Sequence, residues 1–343
     1  MKKIPVGILG ATGTVGQKLL VLLKDHPWFE PVEVIASEKA TGQNYREYVR
    51  WREIETLPDN IWQLKMKKIY DPLEAKILFS CLDASIAGIV EEHYANLGHI
   101  IISNARNHRL DNHVPLVIPE INGDHIKLIK LQQAIRAGFI ITNPNCVVVI
   151  LALALFPIFK YFGLETVMVS TMQAISGAGY PGVPSMDILG NVIAHIENEE
   201  EKIATELPKI FGLYASIGVI NAELKISAAC NRVPVSNGHT LNVAFGINRK
   251  VAREEIIDAL NSFKGLDLPS SPGSPIKYFG DRLRPQPLLD INLDQGMGVA
   301  VGNLRPCNIL DWKCTVLGHN TIRGAAGAAI LNAEYLVANG LCG

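Results

Sequence analysis

A buried strand, a loop with three glycines and an amphipathic helix follow one another at the start of the chain, and this order restricts the fold more than any other feature. Residues 4–9, Ile-Pro-Val-Gly-Ile-Leu, have the unbroken apolar character of a strand covered on both faces. Gly10-Ala11-Thr12-Gly13-Thr14-Val15-Gly16 comes next, and residues 17–25 then read as a helix with Leu19, Leu20, Leu22 and Leu23 on its apolar side. Residues 31–36 form a second predicted strand. Strand, glycine loop, helix and strand at this length make a βαβ unit. Further strands are predicted at 77–80, 100–103 and 139–142, with a helix over 85–97. The alternation implies a parallel sheet with helices on both faces.

The loop has a chemical use. Glycine permits a tight turn and lets backbone N–H groups approach a pyrophosphate at the helix N-terminus. The spacing is GxxGxxG, and it nominates Gly10, Thr12, Gly13, Thr14, Val15 and Gly16 as dinucleotide-binding residues. The second strand ends in Ser37-Glu38-Lys39. A hydroxyl and a cation there suit the 2′-phosphate of NADP, although a Glu38 side chain turned inward would favour NAD. A glycine turn without a ligand, with Glu38 and Lys39 as a solvated surface, is the plainer alternative.

After residue 146 the character changes. Strand candidates at 166–173, 241–247 and 298–304 are widely separated, and Thr240-Leu241-Asn242-Val243-Ala244-Phe245 alternates as an antiparallel strand with one wet face does. The fold class is therefore α/β, with an N-terminal Rossmann-type parallel-sheet domain and an α+β substrate and dimerisation domain. The expected division is 1–145 for dinucleotide binding, completed by a C-terminal helix in 320–343, and 146–319 for catalysis and association. A length of 343 residues fits two domains. A helix is predicted over 321–339, and the proline-rich stretch 269–275 reads as a loop.

With 32 Lys and Arg against 33 Asp and Glu, the chain has no basic excess to attract nucleic acid or an anionic membrane. Its longest apolar run, 147–159, is too short to cross a bilayer, which takes about 20 residues, and contains Pro157; a buried helix is expected there. No targeting segment is read at the N-terminus. The six cysteines, at 81, 146, 230, 307, 314 and 342, show neither CxxC spacing nor a zinc pattern. Reduced thiols in a cytoplasmic protein without a metal are the expectation.

One cysteine stands apart. Asn143-Pro144-Asn145-Cys146 halts the chain just before the apolar run, which puts Cys146 at a helix N-terminus. The partial positive charge there is expected to lower the thiol pKa, and nearby N–H groups suit an oxyanion. Gln173 precedes the flexible segment Ser176-Gly177-Ala178-Gly179, whose Ser176 and Gly177 lie well for contact with a cofactor. A thiol nucleophile needs an acid/base partner. Of nine histidines, His239 stands out because Arg232, an anion-binding side chain, precedes it by seven residues in a glycine-containing segment.

In this order these motifs, together with Asn320-Thr321-Ile322-Arg323-Gly324-Ala325-Ala326-Gly327, resemble the aspartate-semialdehyde dehydrogenases, and within them the archaeal and fungal-type branch. The resemblance covers nearly the whole chain. It implies NADP-dependent reductive dephosphorylation of L-aspartyl 4-phosphate to L-aspartate 4-semialdehyde through a cysteine thioester, a step toward lysine, threonine and methionine. Cys146 would be the nucleophile, His239 the general acid/base, and Gln173 would orient the acyl group. Arg232 would bind the α-carboxylate and Glu199 the α-ammonium group, with Arg109 and Lys202 near the phosphate. Asn320 would join Ser176 and Gly177 at the cofactor, in a homodimer or homotetramer. The pattern departs where Val147 and Val148 replace the usual Ser or Thr, and where Asn303 replaces a basic residue. Malonyl-CoA reductase of the same fold is the alternative, and an NADP-binding sensor without turnover is the non-enzymatic one. Glu199 to Lys202 favours the amino-acid substrate. N-acetylglutamyl-phosphate reductases and glyceraldehyde-3-phosphate dehydrogenases fit the residues flanking the cysteine less well.

The cofactor assignment predicts that Lys39→Ala raises KM for NADP far more than KM for NAD, because only NADP brings the 2′-phosphate. Steady-state kinetics with both cofactors tests this, and an equal effect on the two removes Lys39 from the phosphate site.

Overall fold

In a computed structural model of the chain, which describes residues 2–36 and 41–342, two six-stranded sheets stand side by side. The first contains β1 (Ile4–Leu9), β2 (Phe29–Ala36), β3 (Met66–Lys68), β4 (Ile77–Ser80), β5 (Ile100–Ser103) and β6 (Phe139–Thr142), in the spatial order β3-β2-β1-β4-β5-β6. Every neighbouring pair is parallel. Both faces are covered, as the unbroken apolar strands require. Val6, Ile8, Ile77, Phe79, Ile100 and Ile102 point into one core, and Leu9, Ile35, Leu78, Ile101 and Ile140 into the other. Helix α1 (Thr14–Leu23) supplies Leu19, Leu20 and Leu23 to the first core, and α2 (Ala84–Asn96) supplies Val90 and Tyr94 to the second.

The apolar run becomes helix α3 (Cys146–Phe162), which starts four residues after β6 and is buried along most of its length. Val147 and Val148 have no exposed surface and belong to the core beneath the second sheet. Asn303 has a left-handed backbone (φ 54) inside a break in strand register, a conformation that Asn tolerates better than most residues.

The second sheet is mixed. After α3 come β7 (Leu164–Gln173), α4 (Glu199–Ile210), the hairpin β8 (Leu213–Ala215) and β9 (Gly218–Ile220), β10 (Lys225–Arg232) and β11 (His239–Ile247). Then follow α5 (Arg253–Ser262), β12 (Ile276–Phe279), β13 (Val299–Pro306) and β14 (Trp312–Gly318). The sheet order is β10-β7-β11-β14-β13-β12. β11 is antiparallel to both neighbours, as its alternation indicates, whereas β10 runs parallel to β7 and β12 parallel to β13. Along β7, Val167, Val169 and Thr171 are buried while Met168 and Ser170 are exposed. One face thus packs on α3 and α4, and the other is open.

The predicted C-terminal helix divides in two: a π-helical turn, Ile322–Ala326, precedes α6 (Gly327–Ala338). Helix α6 returns to the first sheet, where Ala329, Ile330, Ala333 and Leu336 join its core. Glu334 of this helix is fully buried. It accepts bonds from the N–H and hydroxyl of Ser270, at 3.0 and 2.6 Å, and lies 2.7 Å from His26 Nε2. His26 Nδ1 accepts the Phe29 N–H, so the ring proton is on Nε2 and is donated to Glu334. One carboxylate therefore ties the turn before β2 to the loop before β12. Glu334→Ala strands three buried donors and should cost about 1–3 kcal/mol. Urea denaturation measures this, and an unchanged midpoint at unchanged slope refutes the tie.

Candidate functional site

The ends of three strands of the second sheet converge on the start of α3. Parallel pairing places Arg232, the last residue of β10, in register with Gln173, the last residue of β7. The antiparallel partner β11 begins there with His239. Gln173, Arg232 and His239 are buried, and His239 Nε2 lies 3.2 Å from Sγ of Cys146. The structure thus brings together the cysteine, histidine, glutamine and arginine singled out in the sequence.

The turn before Cys146 is fixed from α4. Glu199 is only 6% exposed and turns its carboxylate inward. Its carboxylate accepts bonds from Asn145 Nδ2 at 3.0 Å, Gln173 Nε2 at 3.2 Å and Lys202 Nζ at 2.5 Å. Glu206 stands two turns further along the same side of the helix. It accepts the Asn145 backbone N–H at 2.6 Å and Arg109 at 2.9 Å. Arg109 also donates to the Asn104 carbonyl at 2.8 Å. Asn145 Oδ1 in turn caps α3 by accepting the Val147 N–H. Gly324, in the π-helical turn, lies against Cys146: a Cβ there would come within 2.7 Å of the Cys146 Cβ.

The expected thiolate is not the resting state. Burial pushes the Cys146 thiol up to about 12, Glu199 adds to this, and Arg109, Lys202 and Arg232 oppose it without prevailing. The helix-terminus effect is of order 0.3–1 kcal/mol at ordinary sites and is outweighed by removal from water. His239 is driven down to about 3, by burial first and then by Arg232 and His319. Thiol and imidazole are therefore both neutral before a substrate arrives.

The glycine loop has the form a pyrophosphate needs. Gly10 has φ +81, and a Cβ on it would lie 2.7 Å from the Cys81 carbonyl oxygen. A Cβ at Gly16 would strike the Gly10 carbonyl oxygen at 2.4 Å. The N-terminus of α1 has no side-chain cap and no acidic residue in its first turn, so Thr14, Val15 and Gly16 present it to an anion. Thr12 and Gly13 lie in the same loop, between Gly10 and the helix. The loop sits between β1 and β4, where strand order reverses, the usual place for a ligand in such a sheet. Asn320 Nδ2 donates to Ser176 Oγ at 2.8 Å and Asn320 Oδ1 accepts the Gly238 N–H, and a Cβ at Gly177 would lie 3.0 Å from His239 Cε1, so Ser176, Gly177 and Asn320 form one group beside His239. Ser37 and Lys39 lie outside the described residues.

Three contributors carry no motif that singles them out. Glu206 is a lone acid on a charged helix, the grip of Asn145 on Glu199 depends on the tertiary fold, and the Ala174 N–H that bonds His239 Nδ1 at 3.1 Å belongs to the backbone. Among the described residues no helix is long and apolar enough to cross a membrane.

Comparison with known proteins identifies the family. Residues 5–129 match the NAD-binding domain of semialdehyde dehydrogenases, and residues 155–323 match their dimerisation domain. An aspartate-semialdehyde dehydrogenase from Archaeoglobus fulgidus is 46% identical over 97% of each chain, and one from Candida albicans is 39% identical over 98% of each. The crystal structure of the Candida albicans aspartate-semialdehyde dehydrogenase with NADP superimposes with a TM-score of 0.92 at 36% identity, covering 99% of this chain and 100% of that one. The chain belongs to the aspartate-semialdehyde dehydrogenase family.

Proposed function

We propose that this protein is an NADP-dependent aspartate-semialdehyde dehydrogenase of amino-acid biosynthesis, and that Cys146 forms the acyl-enzyme. The observation that carries the proposal is the half-buried Cys146–His239 contact of 3.2 Å, placed against Gln173, Arg232 and Glu199. The relatives described above favour this reaction over malonyl-CoA reduction. The glycine loop at Gly10–Gly16, together with Ser176, Gly177 and Asn320, would hold the dinucleotide, which supplies hydride to the acyl carbon when bound. Residues 1–145 with 320–343 would form the cofactor-binding part, and 146–319 the catalytic and dimerising part. The open face of the second sheet, along Met168, Ser170 and Ala244, suits association into a homodimer or homotetramer.

Each side chain then has a definable task. Sγ of Cys146 attacks the acyl carbon of aspartyl phosphate, and His239 Nε2 faces the oxygen that becomes an oxyanion. Gln173, at the strand end, holds the acyl group in line. Arg232 receives the α-carboxylate and Glu199 the α-ammonium group. Lys202, paired with Glu199, and Arg109, held by Glu206, add positive charge on the phosphate side.

Two experiments test these assignments. Cys146→Ala should abolish NADP-dependent oxidation of aspartate semialdehyde in phosphate while leaving NADP binding nearly intact; turnover within about tenfold of wild type rules out the thioester. Glu199→Gln should lower kcat/KM for aspartate semialdehyde by about ten- to a hundredfold and lower any malonyl-CoA reduction clearly less, because both reactions share the turn that Glu199 holds but malonate has no ammonium group. Efficient malonyl-CoA turnover that ignores Glu199 would assign the chain to the other reaction.

Glu206→Gln keeps the shape of the side chain and removes the charge that grips Arg109 and Asn145. It should reduce kcat by about ten- to a hundredfold through misplacement of the nucleophile turn, with KM for NADP little changed. An unaltered kcat shows that α4 does not position the nucleophile.

A further inference from the structure

Lys209 is a charged side chain for which the site has found no use, and it is buried. It stands one turn beyond Glu206 on α4 and is 5% exposed. Burial lowers its pKa to about 8, against the attraction of Asp111 and Glu206, so at neutral pH it is an ammonium ion with three N–H groups to place. All three go to backbone carbonyls of one segment: Arg109 at 2.8 Å, Asp111 at 2.8 Å and Val114 at 3.1 Å. A buried ammonium is unfavourable unless its protons are bonded, and here three acceptors meet three donors.

The segment held in this way follows β5 of the first sheet, whereas α4 packs beneath the second. Arg109 is therefore gripped from the other half of the molecule at two points. Glu206 takes its Nη1 at 2.9 Å, and Lys209 takes its carbonyl oxygen. Its Nη2 donates to the Asn104 carbonyl at 2.8 Å. Its Nε is buried and has no partner among the described residues. An unpaired buried donor is unfavourable, and a phosphate oxygen would satisfy it. The guanidinium charge also reaches Cys146, where it favours ionisation of the thiol. One face of α4 thus fixes two things at once: Glu199 and Glu206 hold the turn at Asn145, and Glu206 and Lys209 hold Arg109.

We propose that Lys209 is a positioning residue for the phosphate step: by clamping the carbonyls of Arg109, Asp111 and Val114 to α4, it sets the Arg109 guanidinium where phosphate meets the acyl carbon on Cys146. This rests on the function proposed above and names what orients its phosphate-side arginine. In the oxidative direction the reaction has two halves. The thiohemiacetal on Cys146 first loses a hydride to NADP and its hydroxyl proton to solvent, giving the thioester; phosphate takes no part. An oxygen of hydrogen phosphate then bonds to the acyl carbon, and the C–S bond breaks. Its electron pair stays on sulfur, which takes the proton of the hydrogen phosphate, so that acyl phosphate and thiol remain. Lys209 acts on the second half, because Arg109 does.

The test mixes the full-length protein rapidly with NADP and aspartate semialdehyde and follows absorbance of the reduced nicotinamide. Without phosphate, the burst reports the first half; steady-state rates at rising phosphate report the second. Lys209→Met keeps the apolar stem and removes the ammonium. It should leave the burst within about twofold of wild type and raise KM for phosphate by about ten- to a hundredfold, with KM for NADP unchanged. In an Arg109→Ala background the same change should add less than about twofold, since the clamp acts through that arginine. Lys209→Gln, shorter and uncharged but still a donor, should show the same selective rise, and it replaces the Met variant if that one does not fold. An unchanged KM for phosphate, a burst that falls in step with the steady-state rate, or an undiminished effect in the Arg109→Ala background overturns the proposal. A wild-type protein that gives no burst overturns the reading of function instead.

Discussion

Two carboxylates on one helix hold the turn that leads into Cys146. Glu199 takes the side chain of Asn145 and Glu206 takes its backbone N–H, so the residue before Cys146 is gripped at both ends from the same face of α4. Buried carboxylates are costly unless fully bonded. Here Lys202, Gln173, Arg109 and the Asn145 groups supply the bonds. The same contacts that satisfy the acids fix the position of the sulfur against the strand ends carrying Gln173, Arg232 and His239. Stability of the seam and geometry of the site are one arrangement.

The electrostatics follow from enclosure. A helix N-terminus, two arginines and a lysine all favour a thiolate at Cys146, yet withdrawal from water and the charge of Glu199 dominate, and the thiol stays protonated at rest. A permanently ionised cysteine in the same place would be open to oxidation and alkylation between turnovers.

Five strands of the first sheet were legible because they are apolar runs, rich in Ile, Leu, Phe and Val, and both faces of a parallel sheet demand that composition; the edge strand β3, Met-Lys-Lys, was not. The glycine loop, the Asn-Pro-Asn-Cys turn, Gln173, Arg232 and His239 were legible as motifs, and the fold brings the last four to one point. Strand β10 was not, since Lys-Ile-Ser-Ala-Ala-Cys-Asn-Arg has little strand character and is held by pairing with β7. Nor was β14, or the π-helical turn that interrupts the predicted C-terminal helix. Glu206 and the Ala174 amide act through contacts between distant segments, which no local pattern records. The resting thiol was misjudged for the same reason: the helix dipole is a local feature visible in sequence, whereas burial is a property of the assembled fold.

The π-helical turn Ile322–Ala326 lays Gly324 against the Cβ of Cys146, and α6 then returns to seal the first sheet. On the ribosome, Cys146 is made long before Gly324. Cys146 consequently has no roof while the intervening second sheet is being synthesised, and the pocket is completed when the closing segment emerges and docks. Reactivity thus arrives with the last step of folding, so an incomplete chain has the residues for the chemistry but not the enclosure in which to perform it.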